Sequence, residues 1–187
     1  AKSKGYDVFV SDFGQIKENY KKDLTESEIP FEERGHSDDL MEGASLVIKS
    51  PGIPEAAPVV RKAIDADIEV IDELEFAYRF NSKPIIAITG SNGKTTTTLL
   101  THHLLKESGI NAGLAGNVGF SLARQVVEDK AEVYVVEMSS FQLDAIKDFK
   151  PSIAILLNIT PDHLDRYEYN LEKYADSKIR IAKNMGL

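Results

Sequence analysis

Residues 85–98, IIAITGSNGKTTTT, constrain the fold more than any other stretch, because a β-branched apolar run breaks there into a glycine-rich turn, a Lys-Thr pair and further threonines. Ile85, Ile86 and Ile88 read as a buried strand. Gly90 and Gly93 permit a turn that brings backbone N–H groups close to an anion. A helix opening at Lys94 points its N-terminus at the same anion. Lys94 adds a point charge for β/γ-phosphates, and the Thr95 hydroxyl suits a Mg²⁺ bridging them. The usual G-x-x-x-x-G-K-[ST] spacing puts its first glycine where Ile88 stands. The loop therefore reads as a shorter variant, Thr89-Gly90-Ser91-Asn92-Gly93-Lys94-Thr95. A purely structural β-to-α turn has no need of that Lys-Thr pair.

At 187 residues, 42% of them hydrophobic, the chain can bury one good core or two small ones. No apolar run approaches the roughly 20 residues of a membrane span, and no basic-then-apolar opening marks a secretion signal, so no membrane partner is expected. The lack of cysteine excludes disulfides and thiolate metal sites and fits a cytoplasmic location. A net charge of −8 argues against a nucleic-acid partner, so any polyphosphate must be held locally. The acidic residues of Glu18–Glu33 and Asp38-Asp39 read as a solvated face.

Alternation along the chain predicts an α/β fold. Ala1–Gly5 reads as a last helical turn with its glycine stop. Strands are expected at Tyr6–Val10, Leu46–Ile48 and Ile68–Ile71, and helices around Ala56–Asp65 and Glu73–Phe80. The first strand ends at Ser11-Asp12, an acidic end of the kind that meets a ribose or base edge, or else a turn residue. Ser50-Pro51-Gly52 closes the next strand in a turn open to close backbone approach. Asn81-Ser82-Lys83-Pro84 marks a boundary, giving a Rossmann-like region 1–82 and a P-loop-type, mostly parallel sheet with flanking helices in 83–187. In the second region the pattern predicts strand 85–89, helix 94–107, a glycine-rich stretch Gly109–Gly119 and helix 120–129. Strand Val133–Val136, helix Ser140–Asp148, strand Ile153–Leu157 and helix Leu171–Asn184 follow.

Two further features fall at strand C-termini, where open α/β sheets bind ligands. Glu137 ends VYVV and suits Mg²⁺, or it caps the next helix. His163, in ITPDHLDRY, suits a metal steered by neighbouring acids, or is an ordinary hydrogen-bonded histidine.

TGSNGKT, AGNVG at 115–119, VVEMSSFQL at 135–143, LNITPDHLDRY at 157–167 and YADSKIRI at 174–181 together resemble the Mur ligase family, most closely its D-glutamate-adding branch. The resemblance covers nearly the whole chain, more weakly before residue 45. It implies an ATP-dependent amide ligase of peptidoglycan synthesis, hence of cell-wall biogenesis, cell shape and division. The substrates would be UDP-N-acetylmuramoyl-L-alanine, D-glutamate and ATP, with two Mg²⁺ ions and a monomeric state.

Residue by residue, the resemblance implies that Gly90, Ser91, Asn92, Gly93, Lys94, Thr95 and Thr96 hold ATP. Thr95 and Glu137 would bind one Mg²⁺ and His163 a second. Lys178 would be carbamylated by CO₂, exchanging an ammonium that repels Mg²⁺ for anionic oxygens that bind it. Lys94, His163 and Lys178 would be the catalytic set. Gly116, Asn117, Ser139 and Gln142 would contact the muramoyl-alanine end, and Asp12 with Ser50, Pro51 and Gly52 the uridine diphosphate. The family opens with a strand and glycine-rich loop before the start of this sequence and closes with a further domain, so a fragment inactive in complete turnover is expected. The alternatives are a non-catalytic nucleotide-binding module, a P-loop kinase of a small acceptor, and a folylpolyglutamate synthase-like ligase, which SSFQL and DHLDRY fit poorly.

Overall fold

The computed structural model describes residues 1–186. The chain gathers into two compact units, Ala1–Val47 with Glu55–Glu69, and Ile48–Pro54 with Val70–Leu187. Leu74 and Ala77, before the linker at 81–84, belong to the same buried cluster as Ile85, Tyr134 and Phe149 after it.

In the first unit, a 3₁₀ turn at Lys2–Lys4 ends at Gly5 with φ +84°. It is followed by β1 (Val10–Asp12), α1 (Glu18–Glu26) and β2 (Phe31–Glu33). β1 and β2 pair in parallel, Val10 opposite Phe31 and Asp12 opposite Glu33. The first strand thus starts where Tyr6–Val10 was expected to end, because a strand needs a partner and β2 begins only at Phe31. The acidic segment 18–33 is solvated along α1, which buries no residue, but ends in a half-buried strand where Glu32 accepts from the Ser11 hydroxyl and Glu33 from the Ile16 N–H. β3 (Leu46–Lys49) follows, then α2 (Pro58–Asp65), which starts with proline at its first turn and buries Val60 and Ala63. β4 (Glu69–Asp72), which belongs to the second unit from Val70 onward, pairs with β3, which does so from Ile48.

The second unit contains α3 (Glu73–Tyr78), β5 (Ile85–Thr89), α4 (Lys94–Glu107), β6 (Ala112–Gly116), α5 (Leu122–Glu128) and β7 (Val133–Glu137). It continues through α6 (Ser140–Asp144), β8 (Ile153–Leu156) and α7 (Leu171–Ile179). Its sheet is parallel in the order β6-β7-β5-β8. Parallel strands joined by helices put all four C-terminal ends on one side, so residues far apart in sequence meet there. β7 is buried along its whole length, as an apolar strand between two covered faces must be.

The expected glycine-rich stretch 109–119 contains a strand, β6. A Cβ on Gly113 would lie 2.6 Å from the Tyr134 ring, whose residue is its partner in register. The neighbouring strand thus supplies the side chain that fills this position, leaving β6 with the composition of a loop. The expected helices 140–148 and 171–184 are shorter, ending at Asp144 and Ile179, the latter continued by a 3₁₀ turn Arg180–Ala182. Among the described residues no helix is long and apolar enough to cross a membrane.

Asp72 caps α3, its Oδ1 accepting from the Glu75 N–H at 2.8 Å. Its side chain is fully buried and Oδ2 has no partner. Burial pushes the carboxyl up to about 6; the charges of Glu73 and Glu75 add to this, while the Glu75 N–H and Lys49 oppose it. Between the unfolded pKa of 3.8 and about 6 the folded chain binds the extra proton, so this group's contribution to stability falls as pH rises through that window. We expect Asp72→Asn, which keeps the capping oxygen, to be more stabilising at pH 7 than at pH 4 by about 2 kcal/mol in paired urea titrations. A pH-independent difference would sink this account.

Candidate functional site

The glycine-rich turn follows β5, and Gly93 opens α4 at φ +82°, a left-handed conformation that favours glycine. Lys94, first residue of the helix, folds back so that Nζ donates to the Gly90 and Ser91 carbonyls at 2.8 and 2.9 Å. The Ser91 N–H donates to the Asn158 carbonyl and the Asn92 N–H to Asn158 Oδ1, each at 3.0 Å. Those two amides, expected to face an anion, are therefore engaged by the segment after β8. The first-turn N–H groups of α4 are the donors left over, because an α-helix gives them no backbone partner. Thr95 and Thr96 are exposed on that turn.

Ser91 is buried. Its hydroxyl donates to the Thr160 carbonyl at 2.8 Å, accepts from the Thr160 N–H at 2.9 Å and lies 3.1 Å from the Tyr174 hydroxyl. Tyr174 sits one turn before Lys178 on α7, and the Lys178 ammonium lies 4.8 Å from its ring centroid. Lys178 is 1% exposed. Burial, then the nearby Lys94 charge, push its amine down to about 8, against the pull of Asp162 and Asp144. The Tyr174–Lys178 spacing of four residues is the helical-face signal that would have pointed to Tyr174 in the sequence.

Glu137 ends β7, opposite Ile88 of β5 and Gly116 of β6. It is 1% exposed. Oε1 accepts from Asn117 Nδ2 at 2.9 Å, and Oε2 is buried without a partner. It does not cap the next helix. Ser139 does that, in a capping box with Gln142: the Gln142 N–H donates to Ser139 Oγ at 3.3 Å and the Ser139 N–H to Gln142 Oε1 at 2.9 Å. His163 stands at φ +49° at the start of a 3₁₀ turn, Leu164–Tyr167. Its Nε2 is 3.8 Å from Asp162 Oδ2, and its ring centroid is 5.6 Å from that of Phe141.

A cleft of about 540 Å³ brings much of this together. Lys94, His163 and Lys178 line it, as do Gly116, Asn117, Ser139 and Gln142, and also Pro51 and Gly52. Its wall includes Glu73, Phe141, Asp162 and Tyr174, which sequence reasoning did not single out; for Glu73 no local signal exists. Glu137 is not among the lining residues, nor are Ser50, Thr95, Thr96 and the turn from Gly90 to Gly93. Asp12 belongs to the first unit, where its Oδ1 accepts from the Gly14 N–H at 2.7 Å as a turn residue does.

Among the described residues no three His, Asp or Glu side chains cluster as a ready-made metal site. A Mg²⁺ held by one carboxylate, a hydroxyl and phosphate oxygens needs no such cluster. The orphaned Oε2 of Glu137 fits that mode, since an unpartnered buried carboxylate oxygen is costly unless a cation or donor meets it.

Residues 88–187 match the Mur ligase middle domain and residues 1–59 the MurD N-terminal domain. The chain is 55% identical over 184 residues to the UDP-N-acetylmuramoylalanine--D-glutamate ligase of Christiangramia forsetii, covering 98% of this chain and 41% of that protein. It is 55% identical over 187 residues to the protein of that name from Cytophaga hutchinsonii, covering 99% and 42%. The chain thus spans about two fifths of the length of the curated relatives it matches. Among solved structures, UDP-N-acetylmuramate-alanine ligase MurC from Thermotoga maritima superposes with a TM-score of 0.55 at 26% identity, covering 98% of this chain and 43% of that one. The UDP-N-acetylmuramate:L-alanyl-gamma-D-glutamyl-meso-diaminopimelate ligase from Neisseria meningitides shares the fold at a TM-score of 0.64 and 18% identity, covering 98% and 62%.

Proposed function

Because the chain belongs to the Mur ligase family, we propose that it serves the ATP-dependent joining of D-glutamate to UDP-N-acetylmuramoyl-L-alanine. The observation that carries this reading is the meeting of Lys94, His163 and Lys178, from three distant parts of the chain, in one cleft. Residues 83–187 are assigned to the nucleotide and residues 1–82 to the UDP-bearing substrate, with Asp12, Ser50, Pro51 and Gly52 as its contacts. A monomer in the cytoplasm, working in cell-wall synthesis and so in cell shape and division, completes the reading.

An amine and a carboxylate at neutral pH form a salt, so the carboxylate must first acquire a leaving group. The L-alanyl carboxylate attacks the γ-phosphorus of ATP in line; an O–P bond forms as the bond to the β-phosphate oxygen breaks, giving an acyl phosphate and ADP. The D-glutamate ammonium gives one proton to solvent, its neutral amine adds to the acyl carbon, and the tetrahedral adduct sheds the second proton as it expels phosphate. Lys94 offsets the repulsion between the anionic nucleophile and the anionic phosphoryl group, and the first turn of α4 presents its N–H groups to the phosphates. Thr95, Glu137, His163 and a carbamylated Lys178 are the residues that would hold Mg²⁺, which supplies charge neutralisation to the phosphoryl oxygens. The lowered pKa of Lys178 supports that modification, since only the neutral amine adds CO₂.

Calorimetric titration with a non-hydrolysable ATP analogue tests the reading, and Mg²⁺-dependent binding at one site per chain is expected. Product analysis with ATP and both acceptors separates the rivals: a ligase gives an amide, ADP and phosphate; a kinase gives a stable phosphorylated product; a binding module gives neither. Binding indifferent to Mg²⁺ would count against the metal assignments.

A further inference from the structure

Glu137 is gripped twice by one residue. The Asn117 N–H donates to the Glu137 carbonyl at 2.9 Å, and the Asn117 side-chain amide donates to Glu137 Oε1 at 2.9 Å. The grip depends on Gly116, which at φ +95° turns the chain over the end of β7; a Cβ there would lie 2.1 Å from the Glu137 carbonyl oxygen. The far end of the same loop is also tied down. Glu73 Oε1 accepts from the Ser121 hydroxyl at 2.7 Å and from the Ala123 N–H at 2.6 Å. Asn117 is thus presented by a loop pinned at both ends, and its amide occupies one carboxylate oxygen while leaving the other without a partner.

We propose that Asn117 is a positioning residue for Glu137, holding Oε1 so that Oε2 is the oxygen kept for the metal. This differs from the substrate contact that the family resemblance implies for Asn117, and it rests on the reading of Glu137 as a metal ligand. A ligating carboxylate left free to rotate about its last side-chain bonds must be ordered when the ion binds; a donor already on one oxygen removes that cost and selects the other. Asn117 is itself exposed, so truncating it leaves the core intact.

The probes are Mn²⁺ and the non-hydrolysable ATP analogue, titrated on the full chain, with free Mn²⁺ counted from its electron paramagnetic resonance signal. Asn117→Ala is expected to weaken Mn²⁺ binding about 10-fold, with metal-free binding of the analogue changed less than about twofold. Asn117→Ser, which removes the amide but keeps a small polar side chain, is expected to do the same, and it stands in if the alanine variant melts early. Equal loss of both affinities would mean that Asn117 merely shapes the loop, and would overturn the proposal. Glu137→Gln separates the two levels. If it weakens Mn²⁺ while neither Asn117 variant does, the positioning role is wrong and the ligand role stands. If Glu137→Gln leaves Mn²⁺ binding unchanged, the ligand reading fails and the positioning role with it.

Discussion

Replacing Lys94 by alanine is expected to weaken binding of the non-hydrolysable ATP analogue at least about 100-fold, or nearly 3 kcal/mol, while the chain stays folded. The side chain is half-buried and its ammonium lies over the turn, bonded to the Gly90 and Ser91 carbonyls. A triphosphate competes for the same cation with far greater charge, so Nζ leaves neutral carbonyls for anionic oxygens. The deletion strands two carbonyls in a loop otherwise held by Asn158 and Thr160, and should cost about 1 kcal/mol of stability. A melting curve taken beside the calorimetry checks this. Retained affinity in a folded Lys94→Ala chain would remove Lys94 from the phosphate site.

The largest effect on stability is expected at Glu75, which is fully buried on α3. Its carboxylate accepts from the Lys147, Asp148 and Phe149 N–H groups at 3.0, 3.0 and 3.1 Å, and Arg79 Nε lies 3.6 Å away. One side chain thereby anchors α3 to the turn after α6. Glu75→Ala strips three buried donors of their acceptor and opens a void, a loss of about 4 kcal/mol, or roughly 10 °C in Tm. Glu75→Gln keeps one acceptor but turns an NH₂ toward another N–H, and should fall between the two. A loss below about 1 kcal/mol in the alanine variant would show that water or a rearranged loop satisfies those donors.

Neither Glu75 nor Glu73 was legible in the sequence. A glutamate in a short amphipathic helix looks like a solvated face, and only the arrival of residues 147–149, more than seventy positions later, turns Glu75 into a buried acceptor. By contrast β5 and α4 run from Ile85 to Thr89 and from Lys94 to Glu107, as their residues alone suggested. Their causes are local: β-branched apolar residues, then a glycine at positive φ, then a residue run free of helix breakers. β6 escaped notice because Tyr134 fills the space its own glycine leaves, and β1 was misplaced because its partner decides where pairing begins.

The candidate site divides along the same line. The phosphate turn, the acid ending β7 and the histidine after β8 could be named from local pattern, since each sits where an apolar strand runs out. The tertiary structure alone decided which groups lose water. It buried Lys178 beside Tyr174 and near Lys94, left one oxygen of Glu137 without a partner, and occupied the Ser91 and Asn92 amides with Asn158. Chain-local chemistry is carried by covalent geometry and side-chain type, which a sequence states outright. Desolvation and the pairing of charges depend on which distant segments pack together, and they come into being only when the parallel sheet draws its strand ends to one side.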